Sequence, residues 1–352
     1  MATETGILVA EFDSNRSAYE ALSKSVAGLI ERLLSVNGIS VHSITQRCKT
    51  VESFSKKVEK KNSYEALGEI TDLAGVRIIT LFSEDVDVVA RLIEREFKID
   101  RSNSIDKRAS LDPDRFGYLS LHYVASLNKS RSSLQEYSGF GKLKVEVQIR
   151  SILQHTWAEI EHDIGYKSAV EVPKSIRRRF SRLAGLLELA DQEFIGIRND
   201  LDTYDSSVKE LMKQGSTEIL LDKISLSNFI AANTVCIELD QAIAEMRNVP
   251  LYASEVAPKL MRSLQQLGVS AISELESKLN EFRHAIIVRI KHILEHPSVQ
   301  PKKLPTGCCI FFLVQVMVAS TKDEKFIAEY VALNNWPPSF VEYMMSFDPS
   351  ES

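Results

Sequence analysis

The sequence has few cysteines, and their spacing matches no common metal or disulfide pattern. The four are Cys48, Cys236, Cys308 and Cys309, with no C-x-x-C pair and no paired histidine motif. Zinc-binding and disulfide-rich proteins carry such patterns. We therefore expect neither a zinc site nor a disulfide framework, and the cysteine usage favours a reducing cytoplasm as the location.

Long hydrophobic runs are also missing. The most apolar stretch, residues 308–319, is about a dozen residues long, whereas a helix needs about 20 residues to cross a bilayer. The start of the chain lacks the basic segment and long apolar core of a signal peptide. The sequence thus predicts a protein without membrane segments, in which residues 308–319 form a buried helix or strand.

The chain has no excess of positive charge. It contains 43 Lys and Arg residues against 48 Asp and Glu residues, a net charge of -5. This balance argues against a general nucleic-acid coat protein, although a local basic patch is compatible with it. Because its 352 residues exceed the usual ~100 to 200 per domain, we expect two domains.

The stretch that organises the sequence is residues 142–167, and in its first nine residues, 142–150, apolar and polar side chains alternate. Such alternation predicts a strand with one apolar face. Its other face carries Glu146, Gln148 and Arg150, a carboxylate, an amide and a guanidinium spaced about 6 to 7 Å apart. Such a row suits a metal and a phosphorylated ligand, and the simpler alternative is a strand with a solvated charged face.

Two earlier segments carry charged residues that an ordinary fold would not require. The basic and hydroxyl residues of the first segment are Arg47, Lys49, Ser53 and Lys57. On a short strand leading into a helix, they could hold a polyanion from several sides, or form a solvated basic helix.

The second segment places Arg77 in a β-branched run just after Asp72. A buried arginine must be paired or belong to a site, so a salt bridge between Asp72 and Arg77 is the structural alternative.

Residues 118–122 predict a further strand. Tyr118, Ser120 and His122 alternate with apolar residues and so share one face. A tyrosine in such a place can stack on a nucleobase. The alternative is that Tyr118 is a rim aromatic and His122 the partner of a neighbouring carboxylate.

The helix predicted after residue 150 has a stripe of ionisable residues, His155, Glu159 and His162. Two histidines and a carboxylate suggest zinc. The order is not H-E-x-x-H and no third ligand follows from the sequence. We therefore favour a role for this helix in orienting the side chains of the neighbouring strand.

Five motifs together resemble the synthetase domain of the RelA/SpoT nucleotide pyrophosphokinase family. In chain order they are R-x-K-x-x-x-S-x-x-x-K (47–57), D-x-x-G-x-R (72–77), G-Y-x-S-x-H (117–122), E-x-Q-I-R (146–150), and W-A-E-I-E-H followed by Y-K (157–167). Each motif alone is weakly specific, but the five motifs together, in the order and approximate spacing of the family, are a strong signal. The resemblance covers about residues 17–198. Within the family, the chain is similar to the small-synthetase type, which lacks a hydrolase domain and a long regulatory tail.

The resemblance implies a donor site and a metal site. The triphosphate of ATP would be held by Arg47, Lys49, Ser53, Lys57 and Arg77. Asp72 and Glu146 would be catalytic and would hold Mg²⁺, with Mn²⁺ as an alternative metal, because hard cations prefer carboxylate oxygen. Glu146 would also accept the proton of the attacking hydroxyl.

The resemblance also implies an acceptor site, whose residues would be Tyr118, Ser120, His122, Gln148, Arg150 and Lys167. The reaction would move the β,γ-pyrophosphate of ATP to the ribose 3′-hydroxyl of a guanine nucleotide, giving (p)ppGpp and AMP. Phe116 stands where housekeeping members usually have Asn, which leaves the acceptor open. The alternatives are a toxic small synthetase that modifies the 3′ end of tRNA, with Arg177–Arg179 receiving the RNA backbone, and an inactive nucleotide-binding sensor.

We expect an α+β fold, a mixed β-sheet flanked by helices, followed by an all-helical C-terminal domain. Residues 1–203 would form the synthetase domain and residues 204–352 a mostly helical regulatory or partner-binding domain. The polar stretch 205–213 is the candidate linker, and helical periodicity returns after it. A protein partner or an intramolecular inhibitor would act through the second domain, and self-association is a further expectation.

Overall fold

A computed structural model describes residues 4–61, 64–106, 120–166, 173–295 and 301–348. The chain divides into two compact units, residues 1–198 and 199–352. Each unit has its own hydrophobic core. We call them the N-terminal unit and the C-terminal unit.

The N-terminal unit alternates helices and strands. Its described elements are α1 (Glu4–Val36), β1 (Ser43–Cys48), α2 (Val51–Lys61), β2 (Ala74–Thr80), α3 (Ser83–Glu96), β3 (Phe97–Ile99), β4 (Ile105–Asp106), β5 (Leu121–Leu127), α4 (Lys129–Ser132), β6 (Val145–Ser151) and α5 (Ile152–Tyr166). Two 3-10 turns, Leu67–Glu69 and Gln135–Phe140, precede β2 and β6.

The strands form one mixed sheet in the order β1-β2-β6-β5-β3, with β4 paired to β5. The β2/β6 pair is parallel and the others are antiparallel. The run predicted as a central strand is β2, and all its residues except Arg77 are buried. The predicted α+β class, a mixed sheet flanked by helices, is confirmed.

Helix α1 closes one side of this sheet. Phe12 on α1 stacks on Phe54 of α2 with ring centroids 4.5 Å apart, and neither side chain is exposed. The same core contains Val147 and Ile149 of β6, also fully buried. The apolar face predicted for residues 142–150 therefore faces the core, which leaves its polar neighbours on the opposite face of the strand.

A single long helix, α6 (Lys174–Lys213), contains the boundary between the two units. The prediction of a linker at residues 205–213 is wrong, because these residues are the last turns of α6. Their polar composition belongs to an exposed helical face, on which Lys209 pairs with Asp205 at 2.5 Å, whereas Val208 is buried in the C-terminal core.

The C-terminal unit is mostly helical, as predicted, with one additional two-residue parallel ladder. Its elements after α6 are α7 (Lys223–Ala232), α8 (Thr234–Arg247), β7 (Leu251–Tyr252), α9 (Pro258–Gln266), α10 (Ile272–Glu281), α11 (Arg283–Glu295), β8 (Leu304–Pro305), α12 (Cys308–Ser320), α13 (Glu324–Leu333) and α14 (Ser339–Met345). Helix α12 is the apolar run noted in the sequence, and all of it except Phe311 and Ser320 is buried. Within the described ranges, no helix combines the length and the apolar character needed to cross a membrane.

Candidate active site

The pairing of four strands brings the predicted site residues to one face of the sheet. Arg47 on β1 lies opposite Gly75 on β2, and Gly75 lies opposite Glu146 on β6. On the other side of β6, His122 of β5 lies opposite Gln148. Residues far apart in sequence therefore become neighbours across the sheet, because adjacent strands lie only about 4.8 Å apart.

The carboxylate of Glu146 is the centre of this arrangement. Nδ1 of His122 lies 2.9 Å from Oε1, and Nε2 of Gln148 donates to Oε2 at 3.1 Å. Nη2 of Arg47 lies 4.0 Å from Oε2. Burial would raise the pKa of Glu146, but the hydrogen bonds from His122 and Gln148 hold it below its ordinary value. Glu146 is therefore ionised at neutral pH although its side chain is only 16% exposed.

A chain of hydrogen bonds runs out from this carboxylate in two directions. On β6, Oε1 of Gln148 accepts from Nη2 of Arg150 at 2.9 Å. On β5, Nε2 of His122 shares a short hydrogen bond with Oγ of Ser120. Burial and then the charge of Arg77 lower the pKa of Arg150 to about 10, so its guanidinium is charged and weakly compensated at neutral pH. Such a group favours a bound anion.

Asp72 forms a second cluster with two lysines. Its carboxylate pairs with Nζ of Lys49 at 2.7 Å and with Nζ of Lys57 at 2.8 Å. Burial opposes ionisation of Asp72, but the two lysines lower its pKa below the ordinary value. The alternative of an Asp72 to Arg77 salt bridge is wrong. Arg77 points its Nη1 to Glu159 of α5 at 3.0 Å instead.

One residue of the ionisable stripe predicted on α5, Glu159, contacts a charged side chain of the sheet. Glu159 takes Arg77 as its partner, and Nδ1 of His155 lies 3.6 Å from the same carboxylate oxygen. Through its contact with Arg77, Glu159 orients a charged side chain of the sheet, which is the kind of role that we predicted for this helix.

One cavity of about 390 Å³ collects most of the predicted acceptor residues. The residues of the sheet that line it are Arg47, Arg77, Ser120, His122, Gln148 and Arg150. Trp157 and Glu159 of α5 line the opposite wall. The three arginines outnumber the two glutamates of the lining, Glu159 and Glu161, and this positive balance suits a phosphorylated ligand.

Three predicted site residues remain: Ser53, Tyr118 and Lys167. Ser53 lies in the first turn of α2, where its backbone N–H donates to Oγ1 of Thr50 at 3.2 Å. It is exposed, one turn before Lys57. Tyr118 and Lys167, both predicted to bind the acceptor, lie outside the described residues.

Gly75 contributes to the site in a way that we did not predict from the sequence. A Cβ atom at this position would lie 3.3 Å from Cγ and 3.4 Å from Nε of Arg47. The missing side chain therefore lets Arg47 cross β2 towards Glu146. Its place in the D-x-x-G-x-R motif was the available signal, but the reason for the glycine became visible only with the strand pairing.

The described residues contain one group with metal-ligand geometry, and it lies in the C-terminal unit. Cys236, Asp240 and Cys309 are all buried, with their ligand atoms within 4.8 Å of one another. Asp240 already accepts from the backbone N–H of Cys309 at 2.8 Å and from that of Gly307. It therefore caps the first turn of α12, which accounts for its burial without a metal.

Comparison with known proteins places the matched region in the N-terminal unit. A family model described as the region found in RelA/SpoT proteins matches residues 46–171. GTP pyrophosphokinase YwaC of Bacillus subtilis is 30% identical over 160 residues, which cover 44% of this chain and 73% of that protein. GTP pyrophosphokinase YjbM of the same organism is 27% identical over 179 residues, covering 50% of this chain and 80% of that protein.

Among solved structures, small alarmone synthetase 2 from Bacillus subtilis is 26% identical. The match covers 54% of this chain and 99% of that chain, with a TM-score of 0.46. The identity to YwaC over most of its length, together with the matched family region, establishes the family. This chain belongs to the RelA/SpoT family, as the five motifs predicted.

Proposed function

We propose that this protein is a nucleotide pyrophosphokinase that transfers the β,γ-pyrophosphate of ATP to the ribose 3′-hydroxyl of a guanine nucleotide. The products would be (p)ppGpp and AMP. The observation that carries the proposal is a cavity lined by His122 and three arginines, in which His122 also contacts the carboxylate of Glu146, inside the region that matches the family. The GTP pyrophosphokinase names of YwaC and YjbM support the same reaction.

The chemistry requires positioning and charge neutralisation rather than a covalent enzyme intermediate. The 3′-oxygen attacks the β-phosphorus of ATP, and the bond from that phosphorus to the bridging oxygen of the α-phosphate breaks. AMP leaves with the bridging oxygen, and the proton of the 3′-hydroxyl passes to Glu146 directly or through water. The low pKa of Glu146 keeps it ionised for this role, while His122 fixes its orientation.

The basic residues account for the negative charge of the donor. Arg47 is 59% exposed at its side chain and contacts Glu146 only at 4.0 Å, so its guanidinium is available to phosphate oxygens. Lys49 and Lys57 now neutralise Asp72 and would exchange that partner for the triphosphate.

A divalent cation fits the two carboxylates. Asp72 and Glu146 offer hard oxygen ligands, and they lie close enough for the charge of Asp72 to oppose ionisation of Glu146. We propose Mg²⁺, or Mn²⁺ in its place, held by Asp72 and Glu146. When bound, the cation supplies charge neutralisation of the triphosphate.

We assign catalysis to the N-terminal unit and control or partner binding to the C-terminal unit. The family region lies wholly within the first unit. The second unit has a separate core and a cavity of different chemistry, described below. We place the enzyme in the cytoplasm, since its nucleotide substrates occur there and its cysteines are free thiols.

The test is a transfer assay with purified full-length protein and γ-³²P-ATP, offered GTP, GDP, ATP or deacylated tRNA in separate reactions. We expect label on GTP or GDP, together with AMP in equal amount. Label on tRNA would overturn the guanine nucleotide as acceptor in favour of the tRNA alternative, for which the exposed side chains of Arg178 and Arg179 on α6 offer a basic surface. Bound nucleotide without transfer would overturn catalysis and indicate a sensor.

A further inference from the structure

The C-terminal unit contains a cavity that the proposed synthetase reaction does not use. It measures about 840 Å³ and lies between the start of α12, helix α14 and the segment 252–257. Ligand sites in proteins typically enclose about 300 to 1,000 Å³ and are lined mainly by apolar and aromatic groups with a few polar ones. The size of the cavity therefore suits a small organic molecule.

Aromatic side chains form a continuous wall on one side of this cavity. Phe311 meets Trp336 edge to face at 6.0 Å, Trp336 lies 5.0 Å from Phe340, and Phe340 meets Tyr343 at 5.2 Å. All four residues line the cavity. Because each ring is fixed by its neighbour, the wall is formed before any ligand binds, which reduces the ordering cost of binding.

One lining residue is a cation with no counterion. Arg247, at the C-terminal end of α8, has a buried Nε without a hydrogen-bond partner, and no described carboxylate pairs with it. Burial lowers the pKa of Arg247. Glu255 is the one carboxylate among the described lining residues, and it pairs with Lys223 at 2.7 Å while its side chain is 86% exposed. It therefore does not neutralise Arg247.

A second unpaired cation lies behind the wall. The side chain of Arg289 is completely buried, its Nη2 has no partner, and no described carboxylate contacts it. Its Nε donates to Oε1 of Gln315 at 3.2 Å, and its guanidinium lies 4.6 Å from the ring centroid of Tyr343. Gln315 and Tyr343 both line the cavity. Two positive charges without a described carboxylate partner are costly in an apolar environment. Cation–π contacts with Tyr343 and Phe347 offset part of that cost for Arg289, and an anion placed near the two arginines would offset more of it.

We propose that this cavity binds a small amphipathic anion. Its apolar body, aromatic or acyl, would pack against Trp336 and Phe340, and its carboxylate, sulfonate or phosphate would pair with Arg247. The apolar wall alone would accept neutral molecules equally well, so Arg247 supplies the selectivity for negative charge. The proposal does not depend on the synthetase reaction, because every group involved lies in the C-terminal unit.

Isothermal titration calorimetry on the full-length protein tests the proposal with two anionic probes, octanoate and 2-naphthalenesulfonate. We expect saturable binding of one molecule per chain for at least one probe, with Kd below about 1 mM. Octyltrimethylammonium, which has the same chain and opposite charge, should bind at least about tenfold more weakly. Tighter binding of octanoate would indicate an acyl ligand, and tighter binding of the sulfonate an aromatic one.

Three variants locate the binding. Arg247→Gln should weaken the anionic probes by at least about tenfold, and Ser339→Trp should abolish binding because it fills the cavity from an exposed lining position. Arg262→Gln removes an exposed arginine on α9 outside the cavity and should change nothing. Thermal unfolding of each variant checks that the fold is retained.

The proposal is overturned if neither anion binds at about 5 mM. It is equally overturned if the cationic probe binds as well as octanoate. Binding that survives both Arg247→Gln and Ser339→Trp would place the probes elsewhere and would also reject it.

Discussion

The two units of this chain surround their cavities with opposite arrangements of charge. In the N-terminal unit, Glu146 faces His122, Asp72 faces Lys49 and Lys57, and Arg77 faces Glu159. In the C-terminal unit, Arg247 and Arg289 have no carboxylate partner among the described residues.

The difference follows from what each cavity has to accommodate. Phosphate transfer needs many charges of both signs that can exchange partners as a triphosphate and a proton move. The ion pairs of the N-terminal unit supply charges of both signs for that purpose. A selective binding cavity needs a rigid apolar wall and one or two fixed charges. Four changes test this comparison.

The largest effect is expected from Glu146→Gln. The amide keeps the size of the side chain but cannot accept the hydroxyl proton, and general-base removal typically costs about 10²- to 10⁴-fold. We expect AMP formation to fall by about 10³-fold, with thermal unfolding nearly unchanged. The control is Glu136→Gln, an exposed carboxylate outside the site. Turnover within tenfold of the unmodified enzyme would remove Glu146 from the reaction.

The next largest effect concerns the other unit. Leu313 of α12 has no exposed surface, and Leu→Ala at such positions costs about 2 to 5 kcal/mol. We expect chemical denaturation to show that loss in a transition of the C-terminal unit, while AMP formation at low temperature stays within about twofold. Leu220→Ala, at a side chain 69% exposed, should have little effect. A loss of activity equal to that of Glu146→Gln would contradict the separation of the two units.

Gly75→Ala tests whether the missing side chain at position 75 is what lets Arg47 reach Glu146. The added Cβ would contact the side chain of Arg47 at 3.3 to 3.4 Å, so the side chain of Arg47 has to shift from its position beside Glu146 by a few tenths of an ångström. We expect AMP formation to fall by about tenfold, with the KM for ATP raised more than kcat is lowered. Gly68→Ala is the matched control, because a Cβ there meets no atom within 4 Å. Equal activity of the two variants would show that Arg47 does not depend on Gly75.

The smallest effect concerns acid stability. The pKa of Asp72 is lowered in the folded protein, so its ionised form stabilises the fold above the unfolded pKa, and that contribution disappears as pH falls through the folded pKa. Lys57→Met removes one cause of the lowering. We expect this variant to lose less stability between pH 7 and pH 3, measured by unfolding, because the folded pKa of Asp72 then lies closer to the unfolded one. Lys60→Met, at an exposed lysine of the same helix, should leave the profile in place.

The sequence by itself determined the elements that depend on local geometry. Alternation over residues 142–150 fixed which side chains of β6 share a face, because successive residues of a strand point to opposite sides. The five motifs fixed the family. The continuous apolar run beginning at Cys308 indicated a buried element, now seen as α12.

Only the tertiary structure decided which charges meet. Asp72 takes Lys49 and Lys57 rather than Arg77, because β1 leads into α2 beside the start of β2. The polar composition at the end of α6 predicted a linker. The sequence alone does not distinguish an exposed helical face from a loop, because the core that buries Val208 is formed by segments far away in the chain. Arg247 and Arg289 gave no sequence signal, because a lysine or arginine on a helix is usually solvated. Periodicity is set by the backbone of one segment, whereas partners and cavities are set by segments that meet only in the folded chain.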